Sequence, residues 1–254
     1  GIEERDLIIL IGSNPRHEST ILNARIRKAF LKNNINVYSI GNPGDLTYPI
    51  NVIDGKTDVI KQIVEDKHEL SRKIKNAKKP IIVIGQSVLK NKSGKYIFEE
   101  VKKYLYKNNK IDKNWNSLNI LSNHASTVGS YDLDVLSSNN GENVALKKLK
   151  NNSFKILFLF GQDNLDFKKA NEFIIYIGSH GDKGAEIADI ILPGATYTEQ
   201  EGHYTNLEGV IQKSYKASYP PGKAKEDWEI INTLSQLIKR KKLFNNKDEL
   251  VSTM

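Results

Sequence analysis

Residues 7–16 read Leu7-Ile8-Ile9-Leu10-Ile11-Gly12-Ser13-Asn14-Pro15-Arg16, and this stretch decides the fold. Five apolar residues in an unbroken run read as a strand buried on both faces, as in the interior of a parallel sheet. Gly12, directly after it, lets the chain turn sharply at the strand's carboxyl end. Asn14 is a good helix N-cap and Pro15 suits the first helical position; Leu22, Ile26 and Phe30 then share one helical face. The same grammar recurs in residues 37–40 before Gly41, 81–84 before Gly85, 156–160 before Gly161 and 173–177 before Gly178. Further helices are expected over 57–66, 69–77, 96–107 and 227–239. Strand, glycine, helix, strand, repeated, predicts a doubly wound α/β fold.

The domain organisation follows from the less regular stretches. A composition shift over 41–56 and the polar segment 70–79 place a boundary near residue 75. The expected division is a first α/β lobe over 1–75 and a second over 76–212, with a helix and charged tail over 213–254. An alternating segment over 202–212, around Asn206 and Gly209, reads as a hairpin that ends the second lobe. Residues 108–153 are polar and turn-rich and give no clear pattern.

Composition excludes several chemistries. The chain has 254 residues, 39% hydrophobic and 27% charged, in the range of ordinary globular proteins. It has no cysteine, so disulfides, thiol catalysis and Cys-ligated zinc or iron–sulfur clusters are impossible within it. No apolar run approaches the roughly 18 residues of a membrane-spanning helix. Against 30 Asp and Glu stand 38 Lys and Arg, a net charge of +8. The lysines are spread along the chain and are not interleaved with aromatics, so they read as solvated helix faces and no nucleic-acid partner is expected. The only methionine is Met254, and neither a secretory nor a transit segment is visible, so the chain is expected to be a processed product or part of something longer.

Ligands of open α/β sheets bind outside the carboxyl ends of the strands, which directs attention to two loops. In the first, Gly12, Asn14, Pro15 and Arg16 could hold a phosphate on a helix N-terminus, or Asn14-Pro15 could simply start the helix. No G-x-G-x-x-G or P-loop sequence occurs, so standard binding of NAD, FAD or ATP is not expected. The second loop carries Gly178, Ser179, His180, Gly181 and Asp182, without the elbow of a Ser-His-Asp hydrolase. His180 with Asp182, or Glu201 with His203, offers two metal ligands and no convincing third. Glu199, Glu201 and Glu208 could supply paired carboxylates, and spacing alone does not single them out.

A resemblance sharpens this. Gly12-Ser13-Asn14-Pro15-Arg16 followed by residues 22–28, Leu-Asn-Ala-Arg-Ile-Arg-Lys, resembles the large, 75 kDa-type iron–sulfur subunit of respiratory complex I. So do residues 181–185 and 187–195, then Tyr197-Thr198-Glu199, Tyr204, Asn206, Glu208-Gly209 and Gln212. Residues 45–48, 77–80, 220–222 and 226–228 fit the same family in order. The resemblance covers nearly the whole chain, as the carboxyl-terminal part of that subunit.

That resemblance implies two Rossmann-like α/β lobes with parallel sheets, as in molybdopterin oxidoreductases, plus a carboxyl-terminal helical extension. In the wider superfamily the equivalents of the Gly12–Pro15 loop and of residues 188–210 line a pterin-guanine dinucleotide site; here Gly12, Asn14, Pro15, Arg16, Gly178, His180, Asp182, Asn206 and Glu208 would be vestiges of such a pocket. Val210 stands where the family pattern usually has Arg, and His203 where Thr is common, both of which fit an empty site. The implied function is a non-catalytic structural part of the complex I peripheral arm, with no catalytic residue, cofactor or metal in this chain. Its iron–sulfur clusters would lie in a separate or missing amino-terminal half. The expected partners are that half and other peripheral-arm subunits, on the matrix side of the mitochondrial inner membrane or the cytoplasmic face of a bacterial one. The alternative is a fragment of a molybdopterin-dependent oxidoreductase that shares its cofactor with another chain.

Overall fold

The computed structural model describes residues 1–254 except 125, 136–147, 150, 152 and 164–167. The chain divides into two compact units, Gly1–His124 and Ala125–Met254.

In the first unit, β1 (Leu7–Ile11), β2 (Asn36–Ile40), β3 (Asn51–Ile53), β4 (Pro80–Gly85) and β5 (Leu118–Leu121) form a parallel sheet in the order β3-β2-β1-β4-β5. Between them run α1 (Pro15–Glu18), α2 (Thr20–Asn33), α3 (Thr57–Val64), α4 (Glu69–Asn76), α5 (Gln86–Leu89) and α6 (Gly94–Lys107). All five residues of β1 are buried because the strand lies at the centre with helices on both sides. Leu7, Ile9 and Ile11 pack with Ile60, Leu70, Ile74, Val101 and Leu105, from α3, α4 and α6. Ile8 and Leu10 point the other way and pack with Ile26 and Ala29 of α2. The period-2 alternation of a strand thus feeds two cores from one apolar run.

The expected boundary near residue 75 is corrected. Leu7 to Ile11 pair in register with Pro80 to Ile84, so β4 and β5 complete the first sheet and the unit runs to residue 124. The polar segment that suggested the boundary is α4, the helix expected over 69–77, whose Leu70 and Ile74 are buried while its charged residues face out. Lobes over 1–75 and 76–212 would cut this sheet between its two central strands. The helix expected after Asn14 is in fact two, broken at Ser19, whose φ is −157°.

The second unit contains α7 (Thr127–Asp132) and a parallel sheet of β6 (Ile156–Phe160), β7 (Phe173–Gly178) and β8 (Ile190–Pro193), in that order. Leu159, Ile174 and Tyr176 form its buried core, with Ile187 and Ala188 packed against them. After α8 (Lys183–Glu186) comes the expected hairpin, β9 (Gly202–Thr205) with β10 (Ile211–Ser214), paired antiparallel. The chain closes with α9 (Asp227–Lys239) and α10 (Lys247–Ser252). The expected carboxyl-terminal helices are present and belong to this unit. Lys247 Nζ donates to the Glu226 carboxylate at 2.5 Å and to the Glu201 carbonyl at 2.7 Å, tying α10 to the hairpin side of this unit.

Asp227, at the start of α9, provides a pH test. Burial, with Glu226 beside it, raises its carboxyl pKa above the ordinary Asp range. A group so shifted binds its proton more tightly folded than unfolded. Its contribution is therefore present at acid pH and is lost as pH rises through the raised value. Asp227→Asn is expected to gain on the wild type progressively from about pH 4 upward, read as urea midpoints across pH. A difference that does not change with pH would contradict this.

Candidate functional site

The strand order of the first sheet reverses at β1: the chain leaves it for β2 on one side and returns to β4 on the other. The loops after β1 and β4 therefore flank the crevice where open α/β sheets bind ligands. Here those loops touch each other. Ser87 Oγ donates to the Gly12 carbonyl at 2.7 Å. Gly12 has φ +53°, and a Cβ on it would lie 2.2 Å from Val88 Cγ2. A Cβ on Gly85 would lie 2.2 Å from the Gly12 carbonyl oxygen. Gly85 is required by this close approach of backbone to backbone, and Gly12 by its positive φ and the Val88 side chain against it. Two cavities remain at this edge. One, of about 480 Å³, is bounded by Gly41, Lys56, Thr57, Ser87 and Asn91. The other, of about 220 Å³, lies against Gly12, Ser13, Glu18 and Asn42.

The polar side chains of the first loop are committed to neighbouring protein atoms. Asn14 Oδ1 accepts from the Arg16 and His17 amides, and its Nδ2 donates to the Pro43 carbonyl at 2.6 Å. Arg16 Nη1 lies 2.6 Å from Asp45 Oδ2 and donates also to the Asp45 carbonyl at 3.0 Å. The Thr47 amide and then Arg16 hold the Asp45 carboxyl below its usual range. Asn23 of α2 is buried, with Nδ2 on the Leu46 carbonyl at 3.1 Å and Oδ1 accepting from the Tyr48 hydroxyl at 2.9 Å. Burial pushes the Tyr48 phenol well above its ordinary value. The motif residues 12–28 and the motif residues 45–48 thus clasp each other. Nothing in the sequence pattern announced this pairing, because it joins side chains about 25–29 positions apart.

In the second unit the same economy holds. Gly178 ends β7, where a Cβ would meet the Tyr176 hydroxyl at 2.6 Å. Tyr176 Oη lies 3.1 Å from Asp163 Oδ2 and 3.0 Å from the His180 carbonyl, and Asp163 Oδ1 accepts from the Gly184 amide. Burial, then Asp163, raises the Tyr176 phenol. His180 is exposed and its Nδ1 lies 2.9 Å from Ser179 Oγ. Asp182 caps α8 through the Lys183 amide. Asp189 accepts from the Ile174 amide and from Lys169, both at 2.7 Å, and these in that order lower its carboxyl.

Asn206 and Glu208 belong to the hairpin turn. Asn206 Oδ1 accepts from the Glu208 and Val210 amides, and Gly209 supplies the φ of +79° that the turn demands. Glu199 accepts from the Thr196 amide, and Glu201 pairs with Lys213 at 3.4 Å. Among the described residues no three His, Asp or Glu side chains converge as metal ligands. None of their helices is long and apolar enough to cross a membrane.

The architecture is that of an open, doubly wound α/β body with a second parallel-sheet unit. The profile of the molybdopterin oxidoreductase family matches residues 1–237, and the chain belongs to that family. It is 40% identical over 252 residues to the NADH-ubiquinone oxidoreductase 75 kDa subunit of Reclinomonas americana, 98% of this chain and 36% of that protein. It is 39% identical over 251 residues to a subunit of the NADH-quinone oxidoreductase of Rickettsia bellii, with the same coverage of 98% and 36%. To the mitochondrial 78 kDa subunit of NADH-ubiquinone oxidoreductase from Candida albicans it is 36% identical over 245 residues, 95% of this chain and 32% of that one. The chain spans about a third of the length of these relatives.

Family membership implies a molybdopterin group, and the donors at the first loop do not fit its phosphates. A phosphate there needs open N–H groups or a free cation. The first amides of α1 are taken by Asn14, Arg16 is paired with Asp45, and Glu18 places a carboxylate at the same edge.

Proposed function

We propose that this chain is a non-catalytic structural part of the peripheral arm of respiratory complex I. In this reading it holds no cofactor and supports the iron–sulfur polypeptide that passes electrons from NADH toward ubiquinone. Its partners are that cluster-bearing polypeptide and other peripheral-arm subunits, and its place is the matrix face of the mitochondrial inner membrane or its bacterial counterpart. The observation that carries the reading is the clasp in the first unit. The residues that a ligand-binding ancestor would aim at phosphates, Asn14 and Arg16, are bonded instead to Pro43 and Asp45. Asn206 and Asp182 likewise serve a turn and a helix cap. The relatives, all subunits of NADH-quinone or NADH-ubiquinone oxidoreductases by name, support the same assignment.

Molybdenum and oxidised-pterin fluorescence, measured on the purified chain, test the cofactor-free part of this reading. Both are expected at background. A stoichiometric amount of either would favour the shared-cofactor oxidoreductase and overturn the structural assignment.

A further inference from the structure

β9 and β10 form a sheet of two strands, and the two are unequally covered. All four residues of β9 are half-buried, and α7 lies against the strand: a Cβ on Gly129 would be 2.7 Å from Thr205 Oγ1. On β10, Ile211, Gln212 and Lys213 are exposed. The ladder fixes which backbone groups of β10 are open. The Asn206 amide donates to the Val210 carbonyl at 3.0 Å, and the register runs on from that pair through Thr205–Ile211, Tyr204–Gln212 and His203–Lys213. Antiparallel pairs alternate, so Gln212 bonds inward to Tyr204, whereas the N–H and C=O groups of Ile211 and Lys213 point away from β9. Among the described residues nothing bonds to them from that side.

An open strand edge is a template for pairing with another chain, and folded proteins ordinarily guard it with a proline, an outward lysine or a covering element. β10 contains no proline. Its lysine is turned back onto its own unit, with the Lys213 ammonium 3.4 Å from Glu201 and 4.8 Å from the centre of the Tyr215 ring. A two-stranded sheet is marginal in water, and a third strand stabilises it. The chemistry of that strand follows from the charge around the edge. Over residues 207–225 the single acid, Glu208, stands against Lys213, Lys216, Lys223 and Lys225. Ile211 and Tyr215 add apolar surface, 67% and 70% exposed. We propose that the open edge of β10 receives an extended, acidic segment of the cluster-bearing polypeptide as a third strand. Its main chain bonds to the Ile211 and Lys213 backbone, and an apolar side chain covers Ile211. This rests on the function proposed above: the chain spans about a third of its relatives' length, and the cluster-bearing polypeptide stands for the part outside it.

The test uses the tagged whole chain, purified in mild detergent from cells that make it. Ile211→Pro removes an amide that the hairpin does not use, at an edge position where proline is tolerated. It is expected to leave the free chain's thermal midpoint in place and to lower recovery of the cluster-bearing polypeptide about tenfold, while Ile211→Val recovers it as the wild type does. Should the proline variant fail to fold, Ile211→Glu carries the comparison: it keeps the amide, sets a carboxylate against the acidic segment and is expected to lose recovery several-fold. In the unaltered protein, hydrogen exchange at the Ile211 and Lys213 amides is expected to slow about tenfold or more in the assembly relative to the free chain. Undiminished recovery with both variants, or equally fast exchange in both states, would overturn the docking edge and leave the assignment to complex I standing. Protection that grows with the concentration of the isolated chain would give the edge to a second copy and also overturn it. If the wild-type chain recovers no cluster-bearing polypeptide, the assignment falls and this proposal with it.

Discussion

Gly85→Ala is expected to destabilise the first unit by about 4 kcal/mol, near the top of the range for single substitutions. Its backbone φ is −70°, which any residue adopts, so the cost is purely steric. The added methyl would lie 2.2 Å from the Gly12 carbonyl oxygen, 2.9 Å from its carbonyl carbon and 2.9 Å from Ser13 Cβ. The backbone it meets has no room to move. Gly12 is bonded through its amide to the Ile40 carbonyl at 3.1 Å and through its carbonyl to Ser87. β1 and β4 would have to separate at the centre of the sheet, where five paired residues bury both cores. Gly181→Ala in the second unit, read through Trp228 in the otherwise unchanged chain, is the contrast: a Cβ there meets nothing within 4 Å, and a change within about 0.5 kcal/mol is expected. Each unit carries one tryptophan, so urea unfolding of the first is read through Trp115 in a Trp228→Phe background. A Gly85→Ala protein within about 1 kcal/mol of its parent would show that the two loops do not abut as described.

Glu226→Ala is expected to cost the second unit about 3 kcal/mol, the lower end for removing one partner of a buried ion pair. The Glu226 side chain is 11% exposed and its carboxylate collects Lys247 at 2.5 Å, the Trp228 indole N–H at 3.1 Å and Lys216 at 3.7 Å. Its loss leaves the Lys247 ammonium half-covered with only the Glu201 carbonyl. The exposed pair Lys73–Glu69, at 3.2 Å on α4, gives the contrast. Lys73→Ala is expected to shift the urea midpoint far less than Glu226→Ala, because water competes with both charges. Trp228 fluorescence during urea unfolding measures the first of these changes. A loss below about 1 kcal/mol would mean that α10 is not anchored through Lys247.

Five of the ten strands among the described residues, β1, β2, β4, β6 and β7, were legible in the sequence because each is an apolar run closed by glycine. At residues 7–11 and 156–160 expectation and structure coincide. The helix over 227–239 was equally clear. What escaped was short or polar. β3 is three residues, exposed or half-buried, and joins the sheet only through its pairing with β2. β5, Leu-Asn-Ile-Leu, lies in the polar stretch over 108–153, where local propensity gives way to pairing with β4. Within that stretch, residues 125, 136–147, 150 and 152 lie outside the described residues. The boundary near residue 75 failed because a polar helix surface and a linker have similar composition, and only the stripe of Leu70 and Ile74 separates them.

For the candidate site, the loops themselves were found and their chemistry was not. Asn14-Pro15 starts a helix, as the simpler of the two readings had it, and Asp182 does the same for α8. The partners of Arg16 and Asn23 lie in residues 45–48, and only the folded chain brings them together.

The central claim is that this α/β body serves as a scaffold within an electron-transferring assembly. The most direct measurement is mild-detergent affinity purification of the tagged chain from cells that make it, with mass spectrometry of what accompanies it. The account predicts stoichiometric recovery of a cysteine-rich, iron–sulfur-bearing polypeptide of an NADH-quinone oxidoreductase, in an assembly many times larger than this chain. Recovery of the chain alone and turning over a substrate by itself would contradict it.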